Sequence, residues 1–276
     1  MASPLTETLA RTGAPRTASL IATVWGDAVV PRGGSLWLGT LQAILDRFGC
    51  TPGQVRTAMS RLTEEGWLVR TRLGRHSFYR LGPRGEARFA AAAARIYAGR
   101  GRAWDGLFRL VVSPETELRE TLSAEGFGML PGGILVGVEG DPALLPRRHP
   151  VLLAQGRSEE DERHFAARAW PLESLAEGYG RFLDAFAPLE LLDIPPAEAL
   201  PLRLLLVHEW RRLVLRDPRL PDSLLPEAWP GVAAHVLVVT LYRRLTPAAE
   251  SWLDAEGRNE EGALPAGHLG DRFTEG

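Results

Sequence analysis

Two groups of side chains in this sequence have types and spacings suited to binding an anion or a metal. The first is Gln54, Arg56, Thr57, Ser60 and Arg61, followed closely by Arg72, Arg75 and His76. Amide, hydroxyl and guanidinium groups of this kind hydrogen-bond to base edges and to phosphate oxygens. The second is His208-Glu209-Trp210-Arg211-Arg212, which reads as the first half of an HExxH zinc pattern. There, two imidazoles one helical turn apart hold the metal and the glutamate activates water. Position 212 is arginine, which cannot ligate zinc, so a buried polar network or an anion site remains. Other catalytic patterns are missing. Gly33-Gly34 and Gly132-Gly133 are not followed by the GK[ST] of a phosphate loop, no GxSxG elbow is present, and the six histidines are scattered. The single Cys50 allows neither an internal disulfide nor a thiolate metal site, and packing is its expected role. Catalysis is not indicated, and neither a cofactor nor a metal is expected.

The elements around the first group are well marked. Val55, Ala58, Met59 and Leu62 recur at i, i+3, i+4 and i+7, the apolar stripe of a helix. Thr51 stands as its N-cap, Pro52 at its first position and Gly66 just beyond its end. The polar group therefore occupies the opposite, outward side. Next, Trp67, Val69 and Thr71 alternate with Leu68, Arg70 and Arg72, Gly74 supplies a turn, and Ser77 to Leu81 return. This predicts a hairpin with Arg72, Arg75 and His76 at its tip. Either half alone fits an ordinary solvated surface. In this order they predict a winged helix-turn-helix, with a helix for the major groove and a basic wing for the backbone.

Upstream, Ser19 to Val30 reads as an apolar helix closed by Pro31, Arg32, Gly33 and Gly34. Leu36 to Phe48 reads as a second, with Leu38, Leu41, Ile44, Leu45 and Phe48 on one face and Gly49 after it. Three helices and a hairpin make a module over residues 16–82. Residues 83–103 carry an alanine-rich connector helix opened by Pro83. Charge follows this division. The net −2 of the chain conceals 13 Arg against 5 acidic residues over positions 16–100, giving +8, and 18 Arg against 28 acidic residues over 101–276, giving −10. All 32 basic residues are arginine, the better bidentate partner for guanine and phosphate. A basic block joined to an acidic remainder suits a protein that offers one end to nucleic acid.

The remainder reads as α+β and then helical. Strands are expected at Trp104 to Ser113, Gly133 to Val138 and Val151 to Gln155, with an amphipathic helix from Pro114 to Glu125 through Leu118 and Leu122. Residues 104–171 thus form a small α+β domain of ferredoxin-like type. Residues 172–255 form a C-terminal helical domain, with Leu175, Tyr179, Phe182 and Phe186 on one helix face. Helices follow over LRLLLVHEWRRLVLRD, VAAHVLVVTLYRRL and AAESWLDA, with an ordered Pro-rich connection through Pro218, Pro221, Pro226 and Pro230. The tail, 256–276, is expected to be disordered. No apolar run reaches the ~18 to 20 residues of a membrane span. No secretory signal precedes Arg16, so a cytoplasmic location is expected.

Several long runs carry a family resemblance: SLIATVWGDAVVPRGGSLWLGTL, VRTAMSRLTEEGWLVRTRLGRHSFYRL, WDGLFRLVV, LLLVHEWRRLVLRDPRLPDSLLPEAWPG and LYRRL. They resemble the PaaX family of bacterial transcriptional regulators, in the right order, from about Arg16 to Asp254. The resemblance implies a winged-helix repressor of phenylacetate-type catabolic genes, a homodimer on double-stranded operator DNA, released by an aryl-CoA thioester such as phenylacetyl-CoA. It also implies a central domain similar to the small CRISPR-associated ferredoxin-like nucleases. Those enzymes carry an acidic metal ligand at the end of their first strand. Here that strand ends Val111, Val112, Ser113, Pro114, without a carboxylate, so nuclease chemistry does not transfer. A metal-dependent nuclease or hydrolase with a DNA-binding accessory domain stays as the alternative. For the effector, His208, Arg211 and Arg212 together with Arg147 and Arg148 are the candidates, in a site expected between the central and C-terminal domains. The arginines have a second open role, salt bridges to Glu209 or Asp217.

Overall fold

A computed structural model of the chain describes residues 2–99, 104–112, 115–138, 150–270 and 272–273. Helix α1 (Pro4–Thr12) is capped by the Ser3 hydroxyl and buries Leu5 and Thr8. Helix α2 (Thr17–Val24) buries Leu20, Ile21 and Val24. It does not continue regularly to Val30, as the apolar run suggests. It widens into a π-helical turn over Trp25–Val29 and ends in a 3-10 turn over Val30–Arg32. The widening keeps Asp27 inside at 0% exposure, where a buried carboxylate needs donors. Gly33 and Gly34 then take φ of 87° and 77°, a left-handed stop that glycine adopts without a Cβ clash.

The expected helix from Leu36 to Phe48 is divided. Ser35–Trp37 forms strand β1, and helix α3 runs over Leu38–Asp46. Leu36 pairs across from Tyr79, so the sheet takes the backbone groups of these residues. An apolar run this short carries no period that distinguishes strand from helix. Helix α4 (Pro52–Glu64) follows, then strands β2 (Leu68–Leu73) and β3 (His76–Leu81). Leu73 pairs with His76 across Gly74 and Arg75. Gly74, at φ 59°, supplies the positive φ that a two-residue hairpin turn demands. The sheet order β1-β3-β2 puts β3 in the middle, and its Ser77, Phe78 and Tyr79 are all buried. Helix α5 (Pro83–Ile96) comes next.

Strand β4 (Phe108–Val112), helix α6 (Thr116–Ala124), and strands β5 (Gly128–Leu130), β6 (Ile134–Gly137) and β7 (Val151–Ala154) build a second sheet. Its order is β5-β6-β4-β7, antiparallel at every pairing. Val111, Leu122, Phe127 and Leu135 form its core, with Leu118 and Val151 against it. Strand β5 has no counterpart among the strands expected from the sequence. That strand is three residues long and begins at Gly128, where a Cβ would stand 2.6 Å from the carbonyl of Ala169. Close backbone approach excludes every side chain there, and a glycine beside Phe127 carries no strand signal.

Helix α7 (Glu159–Ala169) and helix α8 (Leu172–Phe186) follow, and α8 buries Leu175, Tyr179, Phe182 and Phe186 as its period predicts. Helix α9 spans Pro196–Val214. The Pro-rich connection after it buries Leu220, Leu224, Leu225 and Trp229. The two helices expected after it are one, α10 (Pro230–Glu256), which runs through Pro247. The tail expected to be disordered is ordered over much of its length. Strands β8 (Arg258–Asn259) and β9 (Gly262–Ala263) pair, Leu264 and Phe273 are 6% and 1% exposed, and His268 N donates to the Pro31 carbonyl at 3.0 Å. Two apolar anchors overcome a polar composition.

The chain is thus α+β. Residues 1–98, 181–212 and 234–275 form one compact unit, and residues 99–180 and 213–233 a second. The boundaries expected after residues 82, 103 and 171 do not coincide with these units. Residues 172–255 contribute to both, because buried ion pairs tie α9 and α10 to the N-terminal segment.

Candidate nucleic-acid interface

Helix α4 has two faces. Val55, Ala58 and Met59 are 0%, 9% and 1% exposed, and α2, α3 and α4 pack on one another. Burying Val55 and Met59 contributes about 1.5 to 3 kcal/mol each. Gln54, Arg56, Thr57, Ser60 and Arg61 are all exposed. The start of the helix is fixed by a capping box: Gln54 N donates to Thr51 Oγ1 at 3.4 Å, and Thr51 N to Gln54 Oε1 at 2.8 Å. Gln54 therefore has its carbonyl engaged and only its amide N–H groups left for a partner. Thr57 Oγ1 donates to the Gly53 carbonyl at 3.0 Å, and Ser60 Oγ to Glu64 Oε1 at 2.8 Å. Arg61 Nε donates to Glu65 Oε1 at 2.7 Å, with the two side chains 75% and 40% exposed. An exposed pair of this kind is worth about 0.2 to 1 kcal/mol, so a phosphate or a guanine can replace Glu65. Arg56 has no hydrogen-bond or ion-pair partner among the described residues.

The hairpin β2–β3 brings up the second part. Arg72 Nε donates to the Gly74 carbonyl at 3.2 Å, Arg75 stands exposed in the turn, and the His76 ring packs edge-on to Trp37 at 5.4 Å. A groove of about 510 Å³ lies here, with Leu38, Arg56, Thr57, Ser60, Arg70 and Tyr79 in its lining. The groove joins Arg56, Thr57 and Ser60, but not Arg72, Arg75 or His76, which belong to the hairpin tip. It also adds Arg70, whose Nε and Nη2 donate to Ser77 Oγ at 3.2 and 2.8 Å. The signal for Arg70 was present in the alternation, which puts it on the same strand side as Arg72. Chemically the surface is a set of outward donors, most of them held by weak, exposed internal acceptors that a polyanion can replace.

The second group of candidates is placed differently. His208 is 2% exposed and its Nδ1 lies 3.0 Å from Thr23 Oγ1. Burial, and then the charges of Arg211 and Arg212, push its pKa down to about 3, so the ring is a neutral hydrogen-bonding group. Arg211 donates to Thr23 Oγ1 at 2.9 Å and to the carbonyl and hydroxyl of Ser19 at 2.8 and 2.7 Å. Both side chains thus fasten α9 to α2, which removes them as ready ligands for an effector. Arg212 pairs with Glu209 at 3.0 Å, the salt-bridge role left open by the sequence. Asp217 instead accepts from Tyr179 at 2.6 Å. Arg147 and Arg148 lie outside the described residues, as do Ser113 and Pro114 at the end of the first strand of the second sheet.

A buried polar cluster centred on Asp27 has no counterpart among the groups the sequence singles out. Asp27 Oδ1 accepts from Tyr97 and Tyr242, each at 3.0 Å, and from Arg272 at 3.2 Å; Oδ2 accepts from Arg203 at 2.9 Å. Arg203, 0% exposed, also pairs with Glu250 at 2.7 Å, and Glu250 pairs with the buried Arg32 at 2.6 Å. Arg32 reaches Asp254 at 2.8 Å. Burial first, and then the Asp27 charge, raise both tyrosine pKa values, so each phenol keeps the proton it donates. These residues lie far apart in sequence with no shared motif, which is why no pattern announced them.

A family model described as PaaX-like protein matches residues 16–85, and one described as PaaX-like protein C-terminal domain matches residues 170–255. The chain is 33% identical to the transcriptional repressor PaaX of Escherichia coli (strain K12), across 90% of this chain and 86% of that protein. This chain belongs to the PaaX family. The first PaaX-like match spans the elements from α2 to the start of α5, and hence the whole of the surface around α4. The second spans α8 to α10; neither includes residues 256–273. Among solved structures, the uncharacterized protein Rv0674 from Mycobacterium tuberculosis has a similar fold, with TM-score 0.52 and 23% identity over 78% of this chain and 90% of that one. Among the described residues no helix is long and apolar enough to cross a membrane.

Proposed function

We propose that this PaaX-family protein is a sequence-specific DNA-binding transcriptional repressor of aromatic, phenylacetate-type catabolic genes, acting in the cytoplasm. The observation that carries the reading is the outward face of α4, where Arg56, Thr57, Ser60 and Arg61 stand exposed beside a basic hairpin. In this reading residues 16–82 are a winged helix-turn-helix: α4 is the recognition helix, Arg56 and Arg61 read base edges, and Arg72, Arg75 and His76 hold the backbone from the wing. The sheet order β5-β6-β4-β7 supports a ferredoxin-like central domain. That the Escherichia coli relative is a transcriptional repressor supports the sign of regulation.

Two further parts of the proposal concern assembly and release. A homodimer would set two copies of α4 on a palindromic or near-palindromic operator. An aryl-CoA thioester such as phenylacetyl-CoA would favour a form whose helices no longer match the half-sites. The test is retention of the protein's own promoter fragment in a gel shift at low salt, and release on adding phenylacetyl-CoA. Failure to retain the fragment with or without the thioester would overturn the DNA reading. Calorimetry with phenylacetyl-CoA, phenylacetate and CoA separately tests the effector, and heat from none of them would reject it. No observation favours the alternative of a metal-dependent nuclease or hydrolase.

A further inference from the structure

The segment after α10 ends its described course in an aromatic cage. Phe273 is 1% exposed, and its ring centroid lies 5.0 Å from that of Tyr242, 5.2 Å from Tyr97 and 6.5 Å from His235. The Phe273 carbonyl accepts from Arg243 Nη2 at 2.8 Å, and its N–H donates to the Tyr97 carbonyl at 3.3 Å. The walls are held from behind, since the Tyr97 and Tyr242 hydroxyls both donate to Asp27. The occupant is held with strain, because Phe273 takes φ 53°, a left-handed conformation unfavourable for a bulky L-residue. What fills the cage is a benzyl group with a carbonyl two carbons from the ring, its oxygen on an arginine.

That fragment is an arylalkanoyl group in all but connectivity. We propose that this cage is the ring subsite for the effector, that Phe273 occupies it as an internal mimic, and that an arylalkanoyl ligand binds by displacing it and taking over the Arg243 hydrogen bond. The inference rests on the effector part of the proposed function and gives that effector a location within the first unit. It also gives a route to the DNA. Arg272, next to Phe273, donates Nη2 to the Gly26 carbonyl at 2.7 Å and Nη1 to the Asp27 carbonyl at 2.8 Å, both in the π-helical turn that continues α2. Because α2 packs on α4, withdrawal of Phe273 and Arg272 frees the turn behind the recognition helix.

The experiment is calorimetry of the full chain and of Phe273→Ala with phenylacetyl-CoA, 3-phenylpropionyl-CoA and acetyl-CoA as ringless control. An emptied aromatic cavity accepts a benzene-sized guest. The substitution should therefore raise affinity for both aryl thioesters by about tenfold or more, that is about 1.4 kcal/mol or more, and leave acetyl-CoA unchanged. In parallel, hydrogen exchange on the unsubstituted protein should show the His268 and Phe273 amides exchanging faster with phenylacetyl-CoA and not with acetyl-CoA; this reading does not depend on the variant folding. Equal aryl-thioester affinity in the two proteins, with unchanged exchange, overturns the site and leaves the effector reading standing. Aryl-thioester binding to Phe273→Ala alone overturns displacement of Phe273 in the native protein and the effector reading with it, since an emptied cavity takes an aromatic guest in any case. Binding to neither overturns both.

Discussion

Arg56 and Arg75 offer the cleanest separation of base reading from phosphate holding, because neither has a partner inside the described protein. Removing an exposed arginine without a partner among the described residues should leave stability within about 0.5 kcal/mol of the parent, so any loss of binding belongs to the DNA. If Arg56 reads a base edge, Arg56→Ala costs about 1 to 3 kcal/mol per half-site, or about 5- to 150-fold in affinity, and the loss is confined to the operator. Arg75 sits exposed in the turn of the hairpin; if it holds phosphate as proposed, Arg75→Ala weakens all sequences alike. With log K falling by about 0.9 per phosphate contact for each tenfold rise in salt, losing one contact from each copy of a dimer flattens the slope by about 1.8. Fluorescence anisotropy of operator and scrambled duplexes, over about 50 to 200 mM salt, measures both quantities on one protein preparation. Unchanged operator affinity in Arg56→Ala together with an unchanged slope in Arg75→Ala would refute this placement of the DNA. A slope change in Arg56→Ala, without loss of discrimination, would move that residue to the backbone.

Other substitutions test the supports of the surface. Asp27→Ala removes the acceptor of Tyr97, Tyr242, Arg203 and Arg272; breaking such a buried pair costs about 3 to 5 kcal/mol, visible as a lower urea midpoint, and a loss below about 1 kcal/mol would contradict the cluster's role. His208, with its pKa pushed down to about 3, stays neutral in the folded protein while the unfolded chain takes up a proton below about 6.5. Its contribution is therefore fully present above that pH and lost as pH falls from about 6.5 toward about 3, by up to about 1.4 kcal/mol per pH unit. His208→Gln should flatten that part of the stability–pH curve, and an unaltered curve would show that the ring titrates normally. Thr51→Ala removes the capping box and should cost about 1 kcal/mol in thermal unfolding; no change in melting would mean that α4 needs no cap.

How much was legible in the sequence depended on whether the decisive neighbours were near in the chain. Helix α4 and its cap were, because Thr51, Pro52 and Gln54 and the stripe through Val55, Ala58 and Met59 are all local signals. The hairpin was too, since Gly74 and the alternation around it set its register. Strand β1 was not, because Leu36 becomes a strand residue only when Tyr79 arrives from 43 positions later. The π-helical turn was hidden for the same reason: Asp27 can be buried only in the presence of Arg203 and Arg272. His208 and Arg211 drew attention as chemistry-bearing residues on an apolar helix, yet their partners, Thr23 and Ser19, are short side chains on a distant helix that no motif connects to them. The tail misled in the opposite direction, since its glycines and acids outweighed Leu264 and Phe273 in composition while those two set its structure.

The buried cluster bears on why the chain should tie its N-terminal module to helices at the other end. A hydrophobic contact of equal area would hold the same elements together and tolerate sliding, since burial is not directional. Asp27 and Arg203 tolerate none: both are 0% exposed, and a displacement that separates them leaves charge in a medium that cannot solvate it. Arg32 and Arg203 share Glu250, so α10 is set by the same charges that set the turn after α2 and the middle of α9. His208 and Arg211 repeat the link one to two turns further along α9, onto Thr23 and Ser19 of α2. The orientation of α4, which packs on α2, therefore depends on side chains more than a hundred residues away from it. A segment that contacts Gly26, Asp27 and Tyr97 is placed to alter α4 without touching it, and the contacts at its disposal are polar and stepwise, suited to two arrangements and not to a continuum.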